Sequence, residues 1–304
     1  MSSLQGSNMI FKVLSSGIFS TIQDEGRYGY AHLGVRTSGA MDGYAYMWSQ
    51  TLLQQQNINA IEIMVGLKLQ ALINVTIAIT GADLDFKING SRSDIWQTHK
   101  LDKGDILTFQ RRLSGQRSYL AIAGGFDVPK SYGSYSTTLK EGIGSRVERD
   151  DILKSLNLNT LILKNNSPTF RVQPDYIPHY KKPIVLRIIL GYQEKSFSQE
   201  EKDKFFNSDY KITLESDRMG FRLHGEAIKA DIDGIISEGI AFGAVQIPQD
   251  GQPIVLLRER QTIGGYPKIG TVLEEDCFKL TQKGVDCLVR FKEVFLEEIL
   301  IQNQ

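Results

Sequence analysis

Residues 216–272 carry the densest run of side chains able to do chemistry. Ser216-Asp217-Arg218-Met219-Gly220-Phe221-Arg222 sets two arginines four apart around a glycine. A guanidinium is a planar two-pronged donor, suited to a carboxylate or a phosphate. The bland alternative for this stretch is a surface turn with solvated charges. Gln246-Ile247-Pro248-Gln249-Asp250-Gly251-Gln252 follows, preceded by Ser237-Glu238-Gly239. A strand over 254–257 then runs straight into Arg258-Glu259-Arg260-Gln261, and Gly264-Gly265-Tyr266-Pro267 comes next. Paired glycines let a ligand come close to the backbone. One hairpin needs only one such polar cluster. Three, spaced about a strand apart, point to a ligand site.

A second stretch packs Asp24, Arg27, Arg36, Ser38 and Asp42 into a glycine-spaced loop that leads into a helix start. The free N–H groups and partial positive charge of such a start make an anion site. The alternative is that Asp24 and Arg27 lock the loop as an ion pair while Asp42 is merely the cap. Gly124 to Ser131 mimics a phosphate-binding loop, but Pro129 stands at the second glycine position and removes the N–H and the φ freedom that loop requires. It is read as a turn.

The elements that must position these residues are mostly strands. Short runs rich in Val, Ile, Leu, Phe and Thr occur at 10–14, 60–65, 75–80, 84–88, 106–109 and 118–123, and again at 184–190, 211–214, 244–247, 254–257, 270–273 and 287–291. Asn89-Gly90 predicts a tight hairpin. Helices are expected over 42–53 with Asp42 as cap, from the Ser198-to-Glu201 capping box through Phe206, over 274–282, and over 294–301. Residues 157–182, with Pro168, Pro174, Pro178 and Pro183 in or beside them, read as a linker between two β-rich halves. The expected class is mainly β (α+β), with a barrel in 9–165 and another in 183–300. Residues 1–8 read as a non-native or disordered extension, with Met9 as the start.

Lys plus Arg and Asp plus Glu each total 35, so no net charge draws the chain to nucleic acid or to an acidic membrane. No run approaches the ~20 apolar residues that span a bilayer. The two cysteines, Cys277 and Cys287, and four scattered histidines make neither a disulfide framework nor a metal spacing. A cytoplasmic protein without a bound metal is the expectation.

Five motifs, in order, carry a resemblance that covers the chain from Met9 onward. They are Gln23-Asp24-Glu25-Gly26-Arg27, Ser38-Gly39-Ala40-Met41-Asp42, Ala123-Gly124-Gly125-Phe126-Asp127-Val128-Pro129, Ser216-Asp217-Arg218-Met219-Gly220, and Arg260-Gln261-Thr262-Ile263-Gly264-Gly265-Tyr266-Pro267. In these the chain resembles the family of the C-type component of 5-oxoprolinase. That family is also called biotin-dependent carboxyltransferase-like, and it includes the carboxyltransferase half of urea amidolyase and the antagonist of the sporulation kinase inhibitor. Departures from the pattern are Glu259 where Asp is usual, Ile263 for a frequent Thr, and Ala40 for a frequent Pro.

The resemblance implies two cyclophilin-like β-barrel subdomains. It implies two partner proteins, the B-type and A-type components of 5-oxoprolinase, and ATP-dependent opening of 5-oxoproline to glutamate with ATP and Mg²⁺ as co-substrate. A site for that chemistry holds a carboxylate and a phosphoryl group, with Arg218, Arg222 and Arg260 as clamps. Gln246, Gln252 and Gln261 would orient amide groups, and Asp217 or Glu259 would act as base or steer Mg²⁺. Asp24, Arg27, Arg36, Ser38, Asp42, Gly264, Gly265 and Tyr266 complete the expected binding set around a small anionic amide. Two other readings stand beside this one. One is biotin-dependent carboxyl transfer to urea or a similar amide, with biotin on a separate carrier. The other is a non-catalytic regulator that sequesters a protein like the B-type component.

Overall fold

A computed structural model describes residues 8–165 and 168–302. The expected N-terminal extension therefore lies outside the described residues except for Asn8, as do Asn166 and Ser167 of the expected linker. The fold is mainly β with a few short helices, and the chain divides into two compact units. Met1–Arg27 and Asp42–Tyr180 make the first; Tyr28–Met41 and Lys181–Gln304 make the second.

The first unit is two sheets on one core. One has the strand order Ile152–Lys154, Met9–Ser16, Leu67–Ala71, Ile106–Phe109, Phe86–Ile88, Ser91–Arg92. The other runs Ser20–Gln23, Ala60–Ile63, Ser114–Ile122, Val75–Asp83, Gln97–Leu101. Alternate residues of each strand face the shared interior, so Phe11, Leu69, Phe86 and Leu107 meet Ile61, Ile77, Ile79 and Leu120 in one apolar cluster. Asn89 and Gly90 take φ of 51° and 81° and join Phe86–Ile88 to Ser91–Arg92 as the hairpin pair predicts. Helix Gly43–Leu52 packs on strands Val75–Asp83 and Ser114–Ile122. Asp42 caps it by accepting the Ala45 amide at 3.0 Å.

Residues 157–165 and 168–182 carry more structure than a linker reading implies. They hold helix Leu158–Asn165, whose Leu161 is fully buried in the first unit's core. The Val172 amide also donates to the Trp96 carbonyl at 2.9 Å. Two apolar residues three apart suffice to anchor one short helix, a signal too brief to register as periodicity.

The second unit is a closed seven-stranded barrel. Its order is Ile184–Leu190, Lys268–Val272, Ala244–Gln246, Ile254–Leu256, Gly220–His224, Tyr210–Ile212, Leu288–Glu293, and then back to the first strand. The closing pair, Ile184–Leu190 with Leu288–Glu293, is parallel; the other neighbours are antiparallel. Helix Gln199–Asn207, capped by Ser198, plugs the core with Phe205, which stacks on Phe291 at 4.3 Å. Glu201 does not return to the Ser198 amide; it takes the Lys229 amide and Lys204 instead. Met41 is fully buried in the same core, which is why 28–41 groups with this barrel. Outside the barrel, Glu238–Gly239 and Ile263–Gly264 pair as a two-stranded ribbon. Among the described residues no helix is long and apolar enough to cross a membrane.

Candidate functional site

Within the second unit, the strand Ile254–Leu256 ends in a polar turn at Arg258 and Glu259 that lies against two other segments. Residues 217–219 pair with it: Leu257 N–H donates to the Met219 carbonyl and Glu259 N–H to the Arg218 carbonyl, each at 2.8 Å. Residues 38–40 lie along it too, with Ser38 N–H donating to the Arg258 carbonyl at 2.9 Å. Ser38 is fully buried with φ 54°, followed by Gly39 at φ 105°. A serine in the left-handed region is uncommon and persists only where surroundings fix it. Here the surroundings are two arginines.

Arg218 Nη2 donates to the Gly39 carbonyl at 2.7 Å, and Arg258 Nε donates to the Ala40 carbonyl at 3.1 Å. Arg218 Nε also meets Glu259 Oε1 at 2.5 Å, and Ser38 Oγ sits 3.5 Å from the same oxygen. All four side chains are buried. Arg258 spreads its other nitrogens between the Tyr28 hydroxyl at 3.2 Å and Glu274 at 3.6 Å. Its guanidinium carbon lies 4.6 Å from the Phe242 ring centre and 5.4 Å from that of Phe278.

Arg260 differs from both. Its Nε donates to the Ile240 carbonyl at 2.9 Å and its Nη1 to the Leu257 carbonyl at 3.2 Å. Its guanidinium carbon is 5.8 Å from the Phe242 ring centre. Among the described residues its hydrogen bonds go to carbonyls, and no carboxylate forms an ion pair with this half-buried cation. Burial, and then the neighbouring charge of Arg258, hold its pKa below the ordinary arginine value. A cation so placed attracts an anionic ligand group. Burial pushes the nearby Cys277 thiol upward, away from the thiolate form.

A second polar group borders this one. Gln246 and Lys268 sit opposite each other on neighbouring strands, as Glu238 and Gly264 do on the ribbon. Lys268 pairs with Glu238, which also accepts from Tyr192 Oη and from Gln193 Nε2. Those partners, Lys268 foremost and then Tyr192, hold the Glu238 pKa below the usual carboxylate value.

Arg218, Glu259 and Ser38 thus come together from the expected residues, with Arg260 and Gln261 next in the chain and Gln246 beside Gly264. Asp217 serves its own turn, accepting the Met219 amide at 2.7 Å. Arg222 is exposed on Gly220–His224 and lies 3.8 Å from Glu215. Gln252 holds both backbone groups of Gly225. The Gly265 carbonyl accepts the Ile235 amide, Tyr266 is exposed, and Arg36 is half-buried. Three residues belong to the first unit, where each locks local structure. Asp24 accepts from Gly26 N, Ser134 Oγ, Ser136 Oγ and Tyr135 N. Arg27 grips the Ser131 and Ser136 carbonyls and Thr138 Oγ1. Asp42 is the helix cap and accepts the Tyr180 hydroxyl at 2.7 Å.

Sequence reasoning missed Tyr28, Phe242 and the role of Arg258. Arg258 and Arg260 were visible as two arginines two apart, but they lie on a turn, in which Arg260 N–H donates to the Leu257 carbonyl at 3.2 Å, so no strand periodicity assigns them a face. The aromatic ring beside them comes from Phe242, sixteen positions away from the nearer arginine, and no spacing announces it. Among the described residues no group of three or more His, Cys, Asp or Glu is placed to hold a metal ion. One Glu259 oxygen already serves Arg218 and Ser38.

The comparisons with known proteins agree along the chain. The family described as "Carboxyltransferase domain, subdomain A and B" matches residues 33–293. The Escherichia coli protein named as the C-type component of 5-oxoprolinase is 34% identical over 97% of this chain and 94% of its own length. The Haemophilus influenzae protein of the same name is 30% identical, covering 92% of this chain and 89% of its own. The crystal structure of the Kluyveromyces lactis urea carboxylase superposes with a TM-score of 0.86 at 25% identity. It covers 99% of this chain, which spans only 29% of that larger one.

Proposed function

The chain belongs to the family of the carboxyltransferase domain, subdomains A and B, and from that premise we propose that it is the C-type component of a 5-oxoprolinase. It acts with A-type and B-type partners, and ATP drives the opening of 5-oxo-L-proline to L-glutamate. The end-to-end likeness to the Escherichia coli 5-oxoprolinase component supports the substrate class. The observation that carries the reading to a site is Arg260, a half-buried guanidinium bound only by carbonyls.

A lactam carbonyl is a poor electrophile. Moving the γ-phosphoryl group of ATP to the lactam oxygen activates the ring carbon and leaves ADP. Water then adds at that carbon, the C–N bond breaks to free the amine, and a second water releases phosphate from the resulting acyl phosphate. Charge develops on oxygen throughout. The residues of this chain contribute by holding an anionic group on Arg260, with Arg258 adding positive potential and Phe242 flanking both. Arg218 and Glu259 fix the 38–40 backbone rather than exchange protons.

The test mixes the purified chain with its A- and B-type partners and measures glutamate and ADP released from 5-oxoproline. Release that depends on all three chains is the expected result, and an Arg260→Ala variant with full activity would sink the assignment of the site. Turnover of urea that requires biotin would replace the reading with carboxyl transfer. A tight complex that turns over neither substrate would replace it with a regulator.

A further inference from the structure

The barrel closes on a parallel pair, Ile184–Leu190 with Leu288–Glu293, so both strands leave the barrel at the same end. One passes into the turn Tyr192–Ser196 and helix Gln199–Asn207; the other passes through Val294 and Phe295 into helix Leu296–Gln302. At these two exits lies a groove of about 630 Å³ that none of the chemistry above uses. Its apolar floor includes Leu190 and Phe206, each only partly buried against the barrel core. Tyr192, Phe295 and Leu296 also line it, and they are 74%, 57% and 58% exposed. Large apolar side chains gathered at one concave surface mark a place where another molecule sits.

The charges of the groove select the occupant. Glu194, Asp203 and Glu293 line it against a single lysine, Lys202. Lys202 is committed within the groove, with Nζ 2.6 Å from Glu194 Oε2. No further lysine or arginine of the lining answers Asp203 and Glu293. Past Asp203 the surface stays acidic, since Glu200 and Glu226 border the adjoining depression and its Lys204 pairs with Glu200 and Glu201. A chain without net charge thus presents a local acidic face. Such a face repels phosphates, which argues against nucleic acid and against an anionic lipid surface. Twofold pairing with a second copy would press the face against itself.

We propose that the groove receives a segment of a partner protein in which lysine or arginine flanks a bulky apolar side chain. The apolar side chain seats on Leu190, Phe206 and Phe295, and the cations face Asp203 and Glu293. The anchor supplies affinity, and the opposite charges steer the approach. That the partner is one of the other two 5-oxoprolinase components rests on the oxoprolinase reading.

Calorimetry of the full chain against the A-type and the B-type component, each added separately, tests this. One of them is expected to bind, and to bind more weakly as salt rises from about 0.05 M to about 0.5 M, because exposed charges are screened. Phe295→Asp should weaken that binding about tenfold or more, and so should Asp203→Lys combined with Glu293→Lys. Val185→Asp is the control: that side chain is 48% exposed on the same strand pair and outside the groove, and its variant should bind as wild type does. Should Phe295→Asp lower the melting temperature, the charge reversal decides alone. Affinity indifferent to the groove variants overturns the docking surface, while a three-component mixture that still releases glutamate leaves the oxoprolinase reading standing. A chain that binds neither component overturns both. Wild-type dimers that Phe295→Asp splits in sedimentation would make a second copy the occupant and overturn the proposal as well.

Discussion

Glu259 Oε1 lies 2.5 Å from Arg218 Nε, and the same guanidinium holds the Gly39 carbonyl at 2.7 Å. The pair fixes the course of residues 38–40 along the end of strand Ile254–Leu256, and both side chains are buried. A buried pair of this kind is not strongly stabilising in itself, but removing one member leaves the other charged and desolvated. Arg218→Met or Glu259→Leu alone is expected to cost about 3–5 kcal/mol, whereas the double variant should recover much of that loss. Urea unfolding of the four species measures the coupling. Single variants within about 1 kcal/mol of wild type would show that the pair does not hold the segment.

Arg260 should behave in the opposite way. Among the described residues it pairs with no carboxylate, so Arg260→Met strands no buried charge and should cost less stability than either single variant above, while lowering kcat/KM for 5-oxoproline in the complex by about 10² or more. Arg222→Ala is the matched control. That side chain is exposed and 3.8 Å from an exposed Glu215, so its loss should change neither activity nor stability beyond about 0.5 kcal/mol. Equal losses at both positions would remove the reason for singling out Arg260.

Much of this was legible in the sequence, and the rest was hidden for identifiable reasons. Ile106–Phe109 and Ile184–Leu190 fall on the residues that apolar runs predicted, because short buried strands are what such runs encode. The Asp42 and Ser198 caps are where an acceptor before an apolar stripe puts them. Ser20–Gln23 and Gln97–Leu101 escaped notice because they are polar strands, made by the partners they pair with. At the site, arginines near glycines were visible as a type of chemistry. Their division of labour was not. Arg218 holding backbone, Arg260 standing without a carboxylate, and Arg222 facing solvent are one residue type in three surroundings, and only contacts distinguish them.

In the first unit, Asp42 combines two duties that can be separated. Oδ1 takes the Ala45 amide at the helix start and Oδ2 takes the Tyr180 hydroxyl at 2.7 Å. The Asp42 amide donates to Tyr119 Oη, which in turn donates to Glu62 Oε2, both at 2.8 Å. Burial, then the Asp42 charge, keeps the Tyr180 phenol well above its ordinary pKa, so it is a donor throughout the working pH range. Tyr180→Phe removes one buried hydrogen bond to the Asp42 carboxylate, with an expected cost of about 1–3 kcal/mol in chemical denaturation. Unchanged stability would mean that another group satisfies Oδ2.

Arg187 and Asp276 give the barrel unit an acid-sensitive clasp. Arg187, on strand Ile184–Leu190, meets Asp276 of helix Glu274–Leu280 through Nε at 2.8 Å and Nη2 at 3.0 Å, and its backbone amide adds a third bond at 3.0 Å. Burial alone would raise the Asp276 pKa, but the bonds from Arg187 outweigh it and the group ends below the usual aspartate value. A carboxyl depressed in the folded state releases its proton more readily there than in the unfolded chain, so its stabilisation is complete above the unfolded pKa of about 4. That stabilisation fades as pH falls from there through the lower folded value. Denaturation midpoints measured from about pH 6 down to about pH 2 should therefore drop below about pH 4, and Asp276→Asn should flatten part of that drop while lowering stability at the upper end of the range. A variant that keeps the full acid slope would assign the sensitivity to other carboxylates, with Asp209 beside Arg290 on the same unit the first to examine.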